Sequence, residues 1–226
     1  MIDINRKEHK YILPLEKLTA LSEKLDALMD RDVYGDRGRY MVRSQYFDSI
    51  WDRDLLDNLN GVMEKRKIRL RIYSPEDRTA KLEYKCKSGD NGRKLSMTVT
   101  RQEAAWLEMG RWEWLLGREE PLAAWLSFRM AGSAYLPKTI VEYQRLAYAG
   151  QINNTRITVD TQMRGTMFPC GLFERDLPYV PLMEPDVGIL EIKYDCFLPD
   201  YLRGFLNTVD HLAESNSKYT RARMLL

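Results

Sequence analysis

Lys65, Lys67, Arg69 and Arg71 alternate along one stretch of chain with Ile68, Leu70 and Ile72 between and after them. Side chains two apart on a strand share a face, so the spacing gathers the cations on one side and the hydrocarbon on the other. The split recurs. Lys81, Glu83, Lys85 and Lys87 stand against Leu82, Tyr84 and Cys86; Glu191 and Lys193 against Leu190, Ile192 and Tyr194; Arg156, Thr158 and Asp160 against Ile157 and Val159; and Arg6, Glu8 and Lys10 share a face near the start. Two arrangements fit these faces. One is the solvated outer side of an antiparallel sheet whose other side is core. The second follows from how rich the faces are in Arg and Lys, where an ordinary surface mixes both signs with Ser, Thr and Gln. A sheet closed with these faces inward would be a water-filled tunnel lined by cations and a few carboxylates.

Confined cations repel and require an anion. A triphosphate or polyphosphate would supply it, with Arg binding bidentately and Lys acting as a point charge. The few carboxylates are hard oxygen donors of the kind Mg²⁺ or Mn²⁺ needs to bridge protein and phosphate, although Glu8 and Glu83 can equally pair with neighbouring cations. Nucleic acid is the competing polyanion. It would want an accessible basic face with stacking aromatics; the thirteen tyrosines permit this, but no RNA-recognition or helix-turn-helix pattern accompanies them, and no nucleic-acid partner is expected.

Other chemistries are excluded more simply. Thirty-five Lys and Arg against 33 Asp and Glu leave a formal +2, so any basic site is local rather than a property of the whole chain. Cys86, Cys170 and Cys196 are scattered and odd in number, which rules out a disulfide framework or a CxxC site, and two histidines, His9 and His211, cannot make a His-based metal centre by themselves. The phosphate-loop, dinucleotide, nucleophile-elbow and zincin signatures are missing. No apolar run is long enough for a membrane helix and the N-terminus is too charged for a secretory signal, so a cytoplasmic location is expected.

The elements that must position these residues follow from periodicity and punctuation. Strands are expected over 5–13, 40–48, 64–73, 79–87, 93–100, 138–148, 155–160 and 187–194, with a weaker candidate at 163–168. Helices are expected from Leu15 to Met29 on a leucine stripe, from Trp51 to Leu59, from a Thr100–Glu103 capping box to Leu116, from Pro121 to Met130, and from Pro199 to near His211. Trp106, Trp112, Trp114 and Trp125 read as helix packing. Ser217-Lys218-Tyr219 reads by itself as a polar C-terminal turn. The absence of repeats and linkers points to one domain over 1–226, of α+β class.

The chain resembles the VTC domain, the polyphosphate polymerase branch of the triphosphate tunnel metalloenzymes of the CYTH-like superfamily. The resemblance rests on Arg6-Lys-Glu-His-Lys10-Tyr11, Tyr46-Phe47-Asp48, Arg69-Leu-Arg71-Ile-Tyr73, Glu83-Tyr-Lys85, Tyr143-Gln-Arg145, Arg156-Ile-Thr158-Val-Asp160, Leu190-Glu-Ile-Lys193-Tyr194 and Ser217-Lys218-Tyr219. It implies an antiparallel eight-stranded β-barrel tunnel with helices packed outside, holding ATP and polyphosphate or triphosphate. It also implies that Lys10, Arg69, Arg71, Lys85, Arg145, Arg156, Lys193 and Lys218 act on phosphate, with Lys67, Lys87, Lys94 and Ser217 as substrate-binding neighbours. Glu191 would hold Mn²⁺ or Mg²⁺, with Glu8 as a second candidate ligand. The hydrolytic and cyclase members begin with an ExExK strand; here Arg6 takes the first acidic position, leaving Glu8 and Lys10, a change toward the polymerase branch. No SPX domain is expected with it, and any work at a membrane is expected to need a separate membrane protein as partner.

The resemblance thus implies a metal-dependent phosphotransferase. In it Arg69, Arg71, Arg145 and Lys85 would hold the triphosphate while Lys10, Lys193, Lys218 and Arg156 stabilise the acceptor or leaving phosphate. Polyphosphate synthesis, hydrolysis of a triphosphate, and a binding module without catalysis all remain compatible with such a surface. Replacing Arg69 and Arg71 together by alanine is expected to abolish turnover while leaving the fold intact.

Overall fold

Thr100 shows how local chemistry sets an element. Its hydroxyl accepts the Glu103 amide at 3.2 Å, the Glu103 carboxylate accepts the Thr100 amide at 2.7 Å, and helix α3 (Arg101–Glu108) starts there. The computed structural model describes residues 6–32, 38–89, 91–168, 171–206 and 217–226. The remaining strands and helices are β1 (Arg6–Pro14), α1 (Leu15–Leu28), β2 (Asp30–Arg31), β3 (Arg39–Asp48), α2 (Arg53–Leu59), β4 (Glu64–Ile72), β5 (Thr79–Ser88), β6 (Asn91–Thr100), α4 (Pro121–Gly132), β7 (Leu136–Ala149), β8 (Arg156–Thr166), β9 (Val180–Pro181), β10 (Val187–Asp195), α5 (Asp200–Leu206) and α6 (Lys218–Leu225). The α+β class is as expected. Eight strands follow the order β1-β10-β8-β7-β3-β4-β5-β6, with two-residue strands β2 on β7 and β9 on β8. Every register resolved between these strands is antiparallel.

The chain divides into two compact units. The first comprises residues 1–41, 143–163 and 183–216. Leu18, Leu21 and Leu25 of α1 pack there on Leu13, Leu146, Tyr148, Ile157, Val159, Leu190 and Ile192, so the leucine stripe covers the apolar face of β1, β10 and β8. Gly188 allows the close approach this needs, because a Cβ there would meet the Asp160 carbonyl at 2.8 Å and Leu18 at 2.7 Å. The second unit comprises residues 42–142, 164–182 and 217–226. Here α3 and α4 cover Ile68, Leu70, Ile72, Leu82, Tyr84, Met97 and Val99. In the first unit α1, and in the second α3 and α4, lie on the hydrocarbon face, whereas α6 meets the charged face of the second unit through Tyr46 and Lys67.

Four differences from the expected elements have physical causes. The helix expected to reach Leu116 stops at Glu108 because Gly110 takes φ +71, and a single 3₁₀ turn over Glu113–Gly117 follows. The strands expected over 155–160 and 163–168 are one strand, β8, carried past Gln162 at φ +53. The C-terminal turn is instead helix α6, which Ser217 caps by accepting the Thr220 amide at 3.2 Å. The helix after Pro199 starts at Asp200; its expected end near His211 lies outside the described residues, as do Asn5 and Cys170.

Candidate functional site

The second unit carries the denser charge. The registers place Lys67, Lys85 and Lys94 in one cross-strand row, with Lys65 opposite Lys87 in the next. Tyr46, Arg69, Glu83 and Ser96 form another row, and Ser44, Arg71, Lys81 and Thr98 another. Directly opposed like charges are destabilising in a sheet. Among the described residues of β4, β5 and β6, this face holds Glu83 as its one carboxylate. That carboxylate is 1% exposed and does the work of several. Arg69 donates to it through Nε at 2.7 Å, Arg71 approaches within 3.9 Å, and Lys94 forms an ion pair with it. Burial opposes the Glu83 charge, but the two guanidinium groups and the ammonium outweigh that cost and hold the carboxyl well below its ordinary range.

Arg69 and Arg71 are themselves buried, at 7% and 8% exposed, on the face opposite the hydrophobic core. The solvated-face alternative therefore fails for these two positions, whereas Lys81, Lys87 and Lys94 are exposed. Lys67 donates to the Ser217 hydroxyl at 2.8 Å, which links the cationic rows to the start of α6, where Lys218 is the first residue. Substitution of Arg69 and Arg71 by alanine would strand the Glu83 carboxylate, so the expectation of an intact fold is corrected by this geometry.

The first unit gathers Lys10, Glu8, Glu191 and Lys193 on adjoining strands β1 and β10, with Lys10 opposite Glu191 and Glu8 opposite Lys193. Lys10 pairs with Glu8 at 2.9 Å, and Lys193 pairs with Glu191 and reaches Glu8 at 3.8 Å. Burial and the Glu191 charge both raise the Glu8 carboxyl, while Lys193 and Lys10 overcome them and leave it lowered. On β7, Arg145 makes a two-pronged contact with the fully buried Asp160 at 2.7 and 2.8 Å; burial works against the Arg145 charge and Asp160 overrides it. Arg156 donates to Asp32 at 2.6 Å and to Tyr40 at 3.0 Å. Arg6 lies in β1 opposite Asp195.

Among the described residues no cluster of three or more His, Cys, Asp and Glu side chains is placed to hold a metal. Glu8 and Glu191 are hard oxygen donors, each paired with a lysine, and Mg²⁺ or Mn²⁺ would take one or two such carboxylates, with substrate phosphates and water completing the shell. When bound, such an ion would neutralise phosphate charge.

Sequence reasoning missed three groups. For Glu83 the sequence leaves metal binding and ion pairing equally open, and neither reading shows that it is the shared counter-charge of three cations. Asp160 in β8 and Asp32, just beyond β2, anchor Arg145 and Arg156, a role their positions in the sequence alone do not reveal. Arg43, 2% exposed, lies on the hydrocarbon side of β3, paired with Glu142 at 2.6 Å and donating to the Leu172 and Glu174 carbonyls at 2.9 and 2.5 Å. It pins the 171–174 segment and belongs to the fold. A cavity of about 560 Å³ lined by Glu64, Arg66, Tyr84, Cys86, Trp125, Phe128 and Arg129 also lies on the hydrocarbon side of β4 and β5, away from the cationic rows.

Among the described residues no pairing joins the edge strands β1 and β6, so the eight-stranded barrel implied by the resemblance is present as an unclosed antiparallel sheet, and its fold is shared with solved structures of other proteins. The chain is similar to a Bacillus halodurans protein named as a candidate adenylate cyclase, with 12% identity, a TM-score of 0.55 and 95% of this chain and 97% of that one covered. It is similar also to a Hippeastrum protein, a candidate adenylyl cyclase with a dominant triphosphatase activity, at 14% identity, a TM-score of 0.58 and coverage of 96% and 94%. No curated protein matches the sequence. The chain belongs to the VTC domain family, whose family model matches residues 5–226. No helix among the described residues is long and apolar enough to cross a membrane.

Proposed function

We propose that this domain is a metal-assisted phosphotransferase that moves the terminal phosphoryl group of ATP onto a growing polyphosphate chain. The observation that carries the reading is the face of β4, β5 and β6, where Arg69 and Arg71 are buried beside rows of lysines with Glu83 as the shared counter-charge. A face so built has more positive charge than it neutralises, and a chain of phosphates supplies the balance. Phosphoryl transfer asks chiefly for positioning and for charge stabilisation, which cations provide without a covalent nucleophile.

In this reading Arg69, Arg71, Lys85 and Arg145 hold the triphosphate, and Glu191, with Glu8, holds Mn²⁺ or Mg²⁺. Lys10, Lys193, Lys218 and Arg156 stabilise the acceptor or the leaving phosphate, while Lys67, Lys87, Lys94 and Ser217 extend the surface along the chain of phosphates. Hydrolysis of tripolyphosphate or a nucleoside triphosphate is the second reading, favoured by the triphosphatase activity of the Hippeastrum protein. Incubating the pure domain with ATP and Mn²⁺ and resolving the products by size separates them. Phosphate polymers are expected; orthophosphate alone would establish hydrolysis, and unaltered ATP retained on the protein would establish a binding module.

A further inference from the structure

Two sequence motifs far apart in the chain meet in the second unit. Tyr219 on α6 is 1% exposed, stacks on Tyr46 of β3 with ring centroids 5.2 Å apart at 27°, and donates its hydroxyl to Asp48 at 2.6 Å. Asp48, fully buried, also accepts the amides of Ser49, Asp54 and Leu55 at 2.7, 2.9 and 2.9 Å, so one carboxylate secures both the start of α2 and the phenol of α6. From Tyr46 the contacts continue to the phosphate face: its hydroxyl accepts from Arg69 at 3.3 Å, and the Arg69 guanidinium lies 5.9 Å from the centre of its ring. Arg223, held to Asp52 at 2.8 and 3.0 Å, donates to the Tyr219 hydroxyl at 3.1 Å and fixes α6 from its other end.

We infer that Tyr219 is a positioning residue: docked on Asp48, it sets the Tyr46 ring, and Tyr46 sets the Arg69 guanidinium in the orientation that receives phosphate. The role deepens the phosphotransferase reading and rests on it for its consequence, though the orientation of Arg69 can be measured without turnover. Glu83 fixes the Nε edge of Arg69, and Tyr46 meets the Nη1 edge. A planar guanidinium needs both edges held before it can present a defined fork to an anion. Tyr219 meets Tyr46, Asp48 and Arg223, and its effect on Arg69 passes through Tyr46.

The test uses the full chain with ¹⁵N-labelled arginine and the variants Tyr219→Phe, Tyr46→Phe and their double, with the Arg69 Nε signal identified by its loss in Arg69→Lys. Each single variant should displace or broaden the Arg69 Nε signal, leave that of Arg101 unchanged, and lower kcat/KM for ATP about tenfold, as expected of a misaligned phosphate-holding group. Because both tyrosines act along one route, the double variant should be no worse than the poorer single. An undisturbed Arg69 signal in Tyr219→Phe, with only thermal stability lowered, would overturn the inference, as would additive losses in the double. Wild-type protein without turnover on ATP would instead overturn the phosphotransferase reading and leave the spectroscopic result standing.

Discussion

The Arg69→Ala, Arg71→Ala double variant is expected to lose turnover by a factor of about 10³ or more, since removal of one preorganised electrostatic donor commonly costs about 10²–10³. It is also expected to lose stability. Glu83 is 1% exposed, and the two arginines supply much of what keeps it ionised. Breaking a buried ion pair from one side costs about 3–5 kcal/mol, because the remaining charge is left in a poor dielectric. Lys94 remains as a partner, but its side chain is half exposed and covers the loss incompletely. Adding Glu83→Gln should recover most of the stability by removing the stranded charge, and none of the turnover. Urea denaturation beside a phosphoryl-transfer assay separates the two effects. A double variant with near-normal turnover per folded molecule would remove these arginines from the mechanism.

Glu191→Gln is the second large effect. Glu191 is buried and pairs with Lys193, and glutamine keeps its shape while deleting its charge. If Glu191 holds the divalent ion, turnover falls about 10²-fold or more and its dependence on Mn²⁺ concentration moves to higher metal. Affinity for tripolyphosphate measured without metal should rise, because a negative charge has left a face that binds anions. The opposed signs are the diagnostic: a carboxylate that merely neutralises Lys193 and Lys10 would tighten anion binding with the metal dependence unchanged. Calorimetry with tripolyphosphate and a Mn²⁺ titration of kcat measure the two quantities.

The strand faces were legible because alternation is a strict rule of β-structure. Arg69 and Arg71 fall opposite Ile68, Leu70 and Ile72, and the helices α3 and α4 cover the hydrocarbon side as the pattern requires. The leucine stripe of α1 and the capping box of α3 were equally direct, since each depends on residues within a few positions of one another. What was not legible depends on pairing between distant segments. Glu83 becomes a hub only when register brings Arg69 and Lys94 beside it from two neighbouring strands. Helix α6 was hidden because Lys218, Arg221 and Arg223 interrupt its pattern, leaving Tyr219 and Ala222 as its buried pair. Its place comes from Asp48, 171 residues away in sequence.

Lysine acylation with and without saturating tripolyphosphate, read residue by residue by mass spectrometry, tests the central claim most directly. Lys10, Lys67, Lys85, Lys94 and Lys193 should lose most of their reactivity when the phosphate chain is bound, while Lys17 and Lys24 on the outer side of α1 keep theirs. Equal reactivity of the two groups in the presence and absence of tripolyphosphate would contradict the assignment of these strand faces to phosphate.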